Sequence, residues 1–167
     1  ELPLTTQEIS APNGTIYVRK PLNVSKVEGK NIIGNANISV SEILTTHADF
    51  HLEASFQSPK IHCKGNCTIT GNTTIDNCAI EGNAIFKGTY NGKHLHVDGN
   101  LSIDGQTICQ NIHALGTSLQ CKSLIEANEI IGDRANIIID GDSTIKLLRS
   151  NKAVINGSNN NIKAMQI

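Results

Sequence analysis

The sequence predicts an all-β fold: a single-stranded parallel β-helix, or β-solenoid, with about 17 residues in each triangular coil. Two observations carry this. Ile61 to Gly71 (IHCKGNCTITG) returns as Leu95 to Gly105 (LHVDGNLSIDG), and Cys78 to Gly88 (CAIEGNAIFKG) lies midway, so the period is 17 residues. Within each copy, apolar residues alternate with polar ones, as on a strand with one buried face. Aligned copies place Cys63, Ile80 and Val97 in one column, Gly65, Gly82 and Gly99 in a second, and Ile69, Phe86 and Ile103 in a third.

Residues 1–25 do not repeat clearly. Ile16 to Val18 reads as a short strand, and Pro12-Asn13-Gly14 and Pro21 read as turns. The segment is expected to be an N-terminal cap that blunts the unpaired edge of the first coil. Residues 26–167 are expected to form the helix itself, about eight coils ending in a polar tail.

Alternation begins at Val27, and Leu44 to Leu52 falls in register beneath Ile61 to Ile69. Gly65-Asn66 and Gly71-Asn72 are expected corners, because Gly and Asn tolerate left-handed backbone. A third corner is expected near Asp76-Asn77, Lys93 and Gln110-Asn111. Stacked Asn side chains at the corners should hydrogen-bond up the ladder. Past Gly116 the register slips by one, which an insertion near Leu115-Gly116 explains. Beyond it, Cys121 is expected to sit below Ile138, Ile138 below Ile155, and Ile130 below Leu147.

The five cysteines mostly occupy columns otherwise filled by Ile, Leu, Val or Ala, so they are expected as buried free thiols. Seven Asn-X-Ser/Thr sequons occur, at Asn13, Asn23, Asn37, Asn66, Asn72, Asn100 and Asn156. Corners that want Asn, followed by outward positions that want Ser or Thr, account for them.

At Val97 to Gly105 (VDGNLSIDG) the run resembles the repeats of bactofilins, bacterial polymer-forming β-helix proteins, and the likeness extends over about residues 27–150. The resemblance implies a right-handed helix and nucleotide-independent end-to-end polymerisation in a scaffold role. Cysteine-rich core columns and a longer N-terminal segment depart from that pattern. A second template, the left-handed hexapeptide-repeat acyltransferases, fits in part through Cys63, Ile69 and Ile75, six apart. Its glycine, however, follows the apolar residue directly, whereas Gly65 and Gly71 come two later.

A formal charge of −1 with scattered Lys and Arg argues against a nucleic-acid partner. No apolar run approaches the roughly 20 residues of a membrane helix. Aromatics make up 3%, and Trp is absent, so an aromatic sugar platform is not expected. Polysaccharide-lyase chemistry would need clustered acids and a base, whereas Arg19, Arg134 and Arg149 lie in separate coils. Asp133, Asp140 and Asp142 are expected to cap turns.

The histidines also follow the repeat. His62, Ala79, His96 and His113 share one outward column, with His94 two residues before His96. His94, His96 and His113 are therefore the candidate metal ligands, for zinc or a similar divalent ion, and no other cofactor is expected. The alternative is a solvated polar column that merely recurs with the repeat.

The combined expectation is a non-enzymatic bacterial structural or interaction module. Its partner would be a further copy of itself, or a protein or surface. A start at Glu1 without Met favours an exported or cell-envelope location over a cytoplasmic one. The alternatives are an exported binding or adhesion protein and a hexapeptide-type acyltransferase-like enzyme.

Overall fold

Each coil is built from three short runs in which every second residue is apolar, and two tight corners plus one bend join them. The computed structural model describes residues 4–167. In chain order the strands are β1 (Leu4–Val18), β2 (Leu22–Gly34), β3 (Ile38–Thr46), β4 (Phe50–Leu52), β5 (Phe56–Cys63), β6 (Cys67–Ile69), β7 (Thr73–Ile80) and β8 (Ala84–Phe86). Then follow β9 (Tyr90–Val97), β10 (Leu101–Ile103), β11 (Thr107–Ala114), β12 (Ser118–Cys121), β13 (Ile125–Ile139), β14 (Ser143–Ile155) and β15 (Asn160–Gln166). All pairings are parallel and run between successive coils, giving a β-solenoid of about 9 turns with a spacing near 17 residues.

One coil shows the logic. Phe50 and Leu52 on β4 point inward, as do Phe56, Ser58, Ile61 and Cys63 on β5. The adjacent exposed pair Pro59-Lys60 breaks the alternation on β5 and marks the third bend, as Asp76-Asn77 does on β7. Pro59 is tolerated there because a bend does not require its missing N–H. Inward columns stack as Leu44, Ile61, Cys78 and Leu95, and as Leu52, Ile69, Phe86 and Ile103, all buried. Burying one such side chain stabilises by about 1.5–3 kcal/mol, and that gain exists only between neighbouring coils.

Buried polar residues sit next to the corners and satisfy them. Thr46 Oγ1 donates to Ala48 O at 3.0 Å and Ser58 Oγ to Lys60 O at 2.8 Å. Cys63 Sγ reaches Gly65 O at 3.5 Å, and Cys109 Sγ reaches Asn111 O at 3.4 Å. In each case a weak or strong donor caps the carbonyl two residues on. The cysteines are free and buried, as expected, but two of them also serve the bends.

The corners correct one expectation. No residue described, glycine included, has positive φ. Glycine is instead required by close approach: a Cβ on Gly82 would lie 2.5 Å from Gly65 O, and one on Gly99 would lie 2.5 Å from Gly82 O. The Asn ladder exists in a different form from side-chain pairs. Asn83 N–H donates to Asn66 Oδ1 at 2.9 Å, and Asn100 N–H donates to Asn83 Oδ1 at 2.8 Å. Each side chain thus serves the backbone of the next coil. Asp49 does the same for Asn66 N–H at 2.8 Å.

Of three further expectations, two change. First, β1 pairs in parallel with β2 from Leu4 to Val18, so residues 4–18 already form a rung of the ladder. The Pro12-Asn13-Gly14 corner makes the ladder shift between Ala11 and Thr15, which obscures the repeat in sequence. Second, the expected insertion is found at its corner, just after Gly116: Thr117 and Ser118 N–H both donate to Asn100 Oδ1 at 3.0 Å. Third, the columns beyond it differ from the expected ones. Cys121 lies against Ile139, Ile139 against Ile155, and Ile130 against Leu148, while Ile138 faces outward. The ladder loses residues at Gly132 to Asn136, which offsets the earlier insertion.

Candidate functional site

The third side of the coil carries the histidines. The β5, β7, β9 and β11 register places His62, Ala79, His96 and His113 in one outward column. The His96 and His113 rings meet edge to face, with centroids 6.3 Å apart. His94 lies two residues earlier, at the bend, and its Nδ1 faces Asn111 Nδ2 at 3.1 Å.

Every other imidazole has a carboxylate. His62 Nε2 lies 3.0 Å from Glu81 Oε1, His96 Nε2 lies 2.9 Å from Asp98 Oδ1, and His113 Nε2 lies 3.0 Å from Glu129 Oε1. His47 pairs with Glu28 at 2.8 Å and His51 with Glu53 at 3.5 Å. The face continues into Arg149, which holds Asp133 through Nη2 at 2.8 Å. That hydrogen bond lowers the Asp133 pKa.

The fold therefore brings His96 and His113 together but turns the three candidate ligands, His94, His96 and His113, toward three different partners. Among the described residues no group of three or more His, Cys, Asp or Glu is placed to hold one ion. What this face provides is a set of exposed hydrogen-bonded pairs: His62–Glu81 and His113–Glu129 tie one coil to the next, and His96–Asp98 lies within one coil. Asp98, two residues beyond His96, stands beside the column in the sequence; Glu81 and Glu129 escaped the sequence reading, yet a signal existed: Glu81 lies 19 residues after His62 and Glu129 lies 16 after His113, close to one period. Asp142, predicted to cap a turn, does so by accepting Ser158 and Asn159 N–H at 3.0 Å.

The thiols are poor nucleophiles here. Desolvation raises the Cys109 pKa to about 11 and the Cys121 pKa to about 12, and it raises Cys67 and Cys78 as well.

The two ends differ from the middle. β15 pairs with β14, and among the described residues its outer edge has no partner. Met165 stacks on Leu148 in an inward column, yet it is 45% exposed, and Ile167 is 76% exposed. At the other end β1 pairs only with β2. There Ile9, Ile16, Val18 and Leu22 line a hollow of about 340 Å³.

Comparison of the chain with protein-family models, with curated proteins and with solved structures finds no match.

Proposed function

We propose that the chain is a non-catalytic scaffold rod that associates end to end with further copies of itself. The observation that carries the reading is the uniform ladder: every coil offers its neighbour the same three-sided column pattern, with all strands parallel. Among the described residues, Met165 in an inward column of the last rung is 45% exposed. A second copy stacked in the same direction would extend these ladders. Such a contact is head to tail and does not close on itself, so it builds filaments rather than rings. Unpaired parallel edges are strong templates for this kind of addition.

The non-catalytic part is supported by what the reactive groups are doing. The thiols are buried with raised pKa, and the imidazoles are held by carboxylates or by Asn111. The pattern-level likeness to bactofilins points the same way.

Light scattering over a concentration series, with negative-stain microscopy, tests the reading. Wild-type protein is expected to lengthen with concentration into rods one coil wide. Met165→Lys, which places a charge on the stacking end, is expected to shorten them to single copies while leaving circular dichroism unchanged. A monomer at all concentrations overturns the proposal, as does equal assembly by wild type and variant.

A further inference from the structure

The first side of the rod carries an apolar stripe that reads the same from either end. The short strands β4, β6, β8, β10 and β12, with the matching parts of β1, β2, β13 and β14, give nine rungs, each with one central outward residue. Tyr17, Ile33, Ile85, Ile138 and Val154 hold the first, second, fifth, eighth and ninth positions. His51 and Thr68 hold the third and fourth, and Ser102 and Gln120 the sixth and seventh. Tyr17 is 63% exposed, and Ile33, Ile85 and Val154 are exposed as well. Reversing the order of the rungs therefore sets apolar on apolar and polar on polar at every position, with Ile85 at the centre.

The charges stand on the two rows that flank the stripe. On one flank they are Arg19, Glu53, Lys87, Asp104, Lys122 and Asp140, on the first, third, fifth, sixth, seventh and eighth rungs. Within the chain Lys122 Nζ lies 2.8 Å from Asp104 Oδ1, and His51 Nε2 lies 3.5 Å from Glu53 Oε1. The other flank is the corner row of Asn66, where only Asp49 and Lys152 are charged, on the third and ninth rungs. Under the same reversal Glu53 meets Lys122, while Arg19, Asp49, Asp104, Asp140 and Lys152 each meet an uncharged residue. Lys87 meets its own copy at the rim, where its long stem carries the ammonium into water.

We infer that this side packs against the same side of a second copy, with the two rods antiparallel about a two-fold axis between the two Ile85 side chains. The contact is isologous, so Glu53 of each copy faces Lys122 of the other and the attraction is made twice. Strand directions stay aligned, as in ordinary face-to-face sheet packing. Tyr17, Ile33, His51 and Glu53 line a hollow of about 190 Å³, and Val154 and Ile138 of the second copy come over it.

Charge selects this orientation over its parallel counterpart. A two-fold axis along the rod would also stack apolar on apolar, but it exchanges the flanks and sets Glu53 against Asp49 twice. Rungs spaced by about 4.8 Å on a side roughly 13 Å wide give a contact of roughly 500 Å² per copy, roughly 1,000 Å² in total. That is the small end of specific interfaces, so pairing is expected above about 100 μM. Below it, rods stay one coil wide and end-blocked copies stay single. Pairing needs no contact at the rod ends, so it goes beyond end-to-end stacking.

Small-angle X-ray scattering reports mass and length together, and Met165→Lys, with its charge on the stacking end, is the protein to use. At about 0.5 mM, above the expected pairing range, it should show two copies with the length of one rod. Adding Ile85→Lys, at an exposed position, is expected to leave single copies with circular dichroism unchanged. Adding Glu53→Lys is expected to weaken pairing about tenfold, and Glu53→Lys/Lys122→Glu to restore it. The second exchange gives up the exposed Lys122–Asp104 pair, which contributes little to folding. Single copies at that concentration overturn the inference, as does a two-copy species of doubled length only. So does equal pairing after Ile85→Lys, or tighter pairing after Glu53→Lys, the mark of the parallel arrangement.

Discussion

Tyr90 fills the space that a side chain at position 92 would occupy. Both residues face the core of the same coil, two apart on β9, and a Cβ on Gly92 would lie 3.1 Å from Tyr90 Cε1 and 2.2 Å from Ile75 O. The large ring and the missing side chain are one packing unit. The Phe86 and Tyr90 rings also touch, with centroids 4.8 Å apart.

Gly92→Ala is therefore expected to destabilise by about 1–3 kcal/mol, the usual cost of overpacking a filled core. Tyr90→Phe should behave differently. The hydroxyl is buried and has no hydrogen-bond partner; the Cys78 thiol lies alongside but outside hydrogen-bond geometry. Removing an unsatisfied group should leave stability unchanged or raise it by about 1 kcal/mol. Urea unfolding of both variants checks this, and a marked loss in Tyr90→Phe would mean that the thiol contact is a true hydrogen bond.

The corner ladder predicts an ordered pair of substitutions. Asn83 Oδ1 accepts Asn100 N–H, so Asn83→Ala leaves that group to water and is expected to cost about 1 kcal/mol. Asn83→Asp keeps the acceptor and should cost less, because Asp49, two coils earlier in the same column, fills the same role for Asn66 N–H. Thermal melts of both variants decide; equal losses would mean that the oxygen is not what matters at this corner.

Much of this architecture can be read from the sequence because every coil presents the same environment to each column. That repetition made the inward positions, the three bends and the shared outward column of His62, His96 and His113 visible. Three features were hidden for physical reasons. The coil from Cys121 to Ile139 is one residue long and the next, to Ile155, is one short, so a period of 17 survives overall and conceals Ile139 behind Ile138. Gly65 and its equivalents look like left-handed residues, whereas the constraint is the backbone of the preceding coil, such as Gly65 O against Gly82, which is no local property. The histidine partners are likewise set by ring direction: the spacing that stacked His96 on His113 could not show that their Nε2 atoms turn to Asp98 and Glu129.

Because the histidine pairs are solvent-facing, they should stabilise the rod only slightly. In the His62–Glu81 pair the side chains are 40% and 50% exposed. A double-mutant cycle of His62→Ala and Glu81→Ala at pH 6 is expected to give a coupling of about 0.2–1 kcal/mol, reduced at high salt. A coupling several times larger would mark this face as a stability element of the solenoid.

The buried thiols give a prediction about pH with a definite sign. Burial raises the folded-state pKa of Cys109 to about 11 and of Cys121 to about 12, from an ordinary value of 9.0. A raised pKa means that the unfolded chain releases these protons first as pH rises. The stability that the neutral thiols contribute is therefore complete below pH 9 and is lost progressively between pH 9 and about pH 11–12. At pH 8 the folded protein is expected to resist the thiol reagent DTNB, and all five cysteines should react once it is unfolded in guanidinium. Midpoints of urea unfolding should fall steadily above pH 9, and Cys121→Ala, though less stable at neutral pH, should show a shallower fall. Rapid labelling of the folded rod at pH 8, or an alkaline slope identical in wild type and variant, would contradict the buried placement of these side chains.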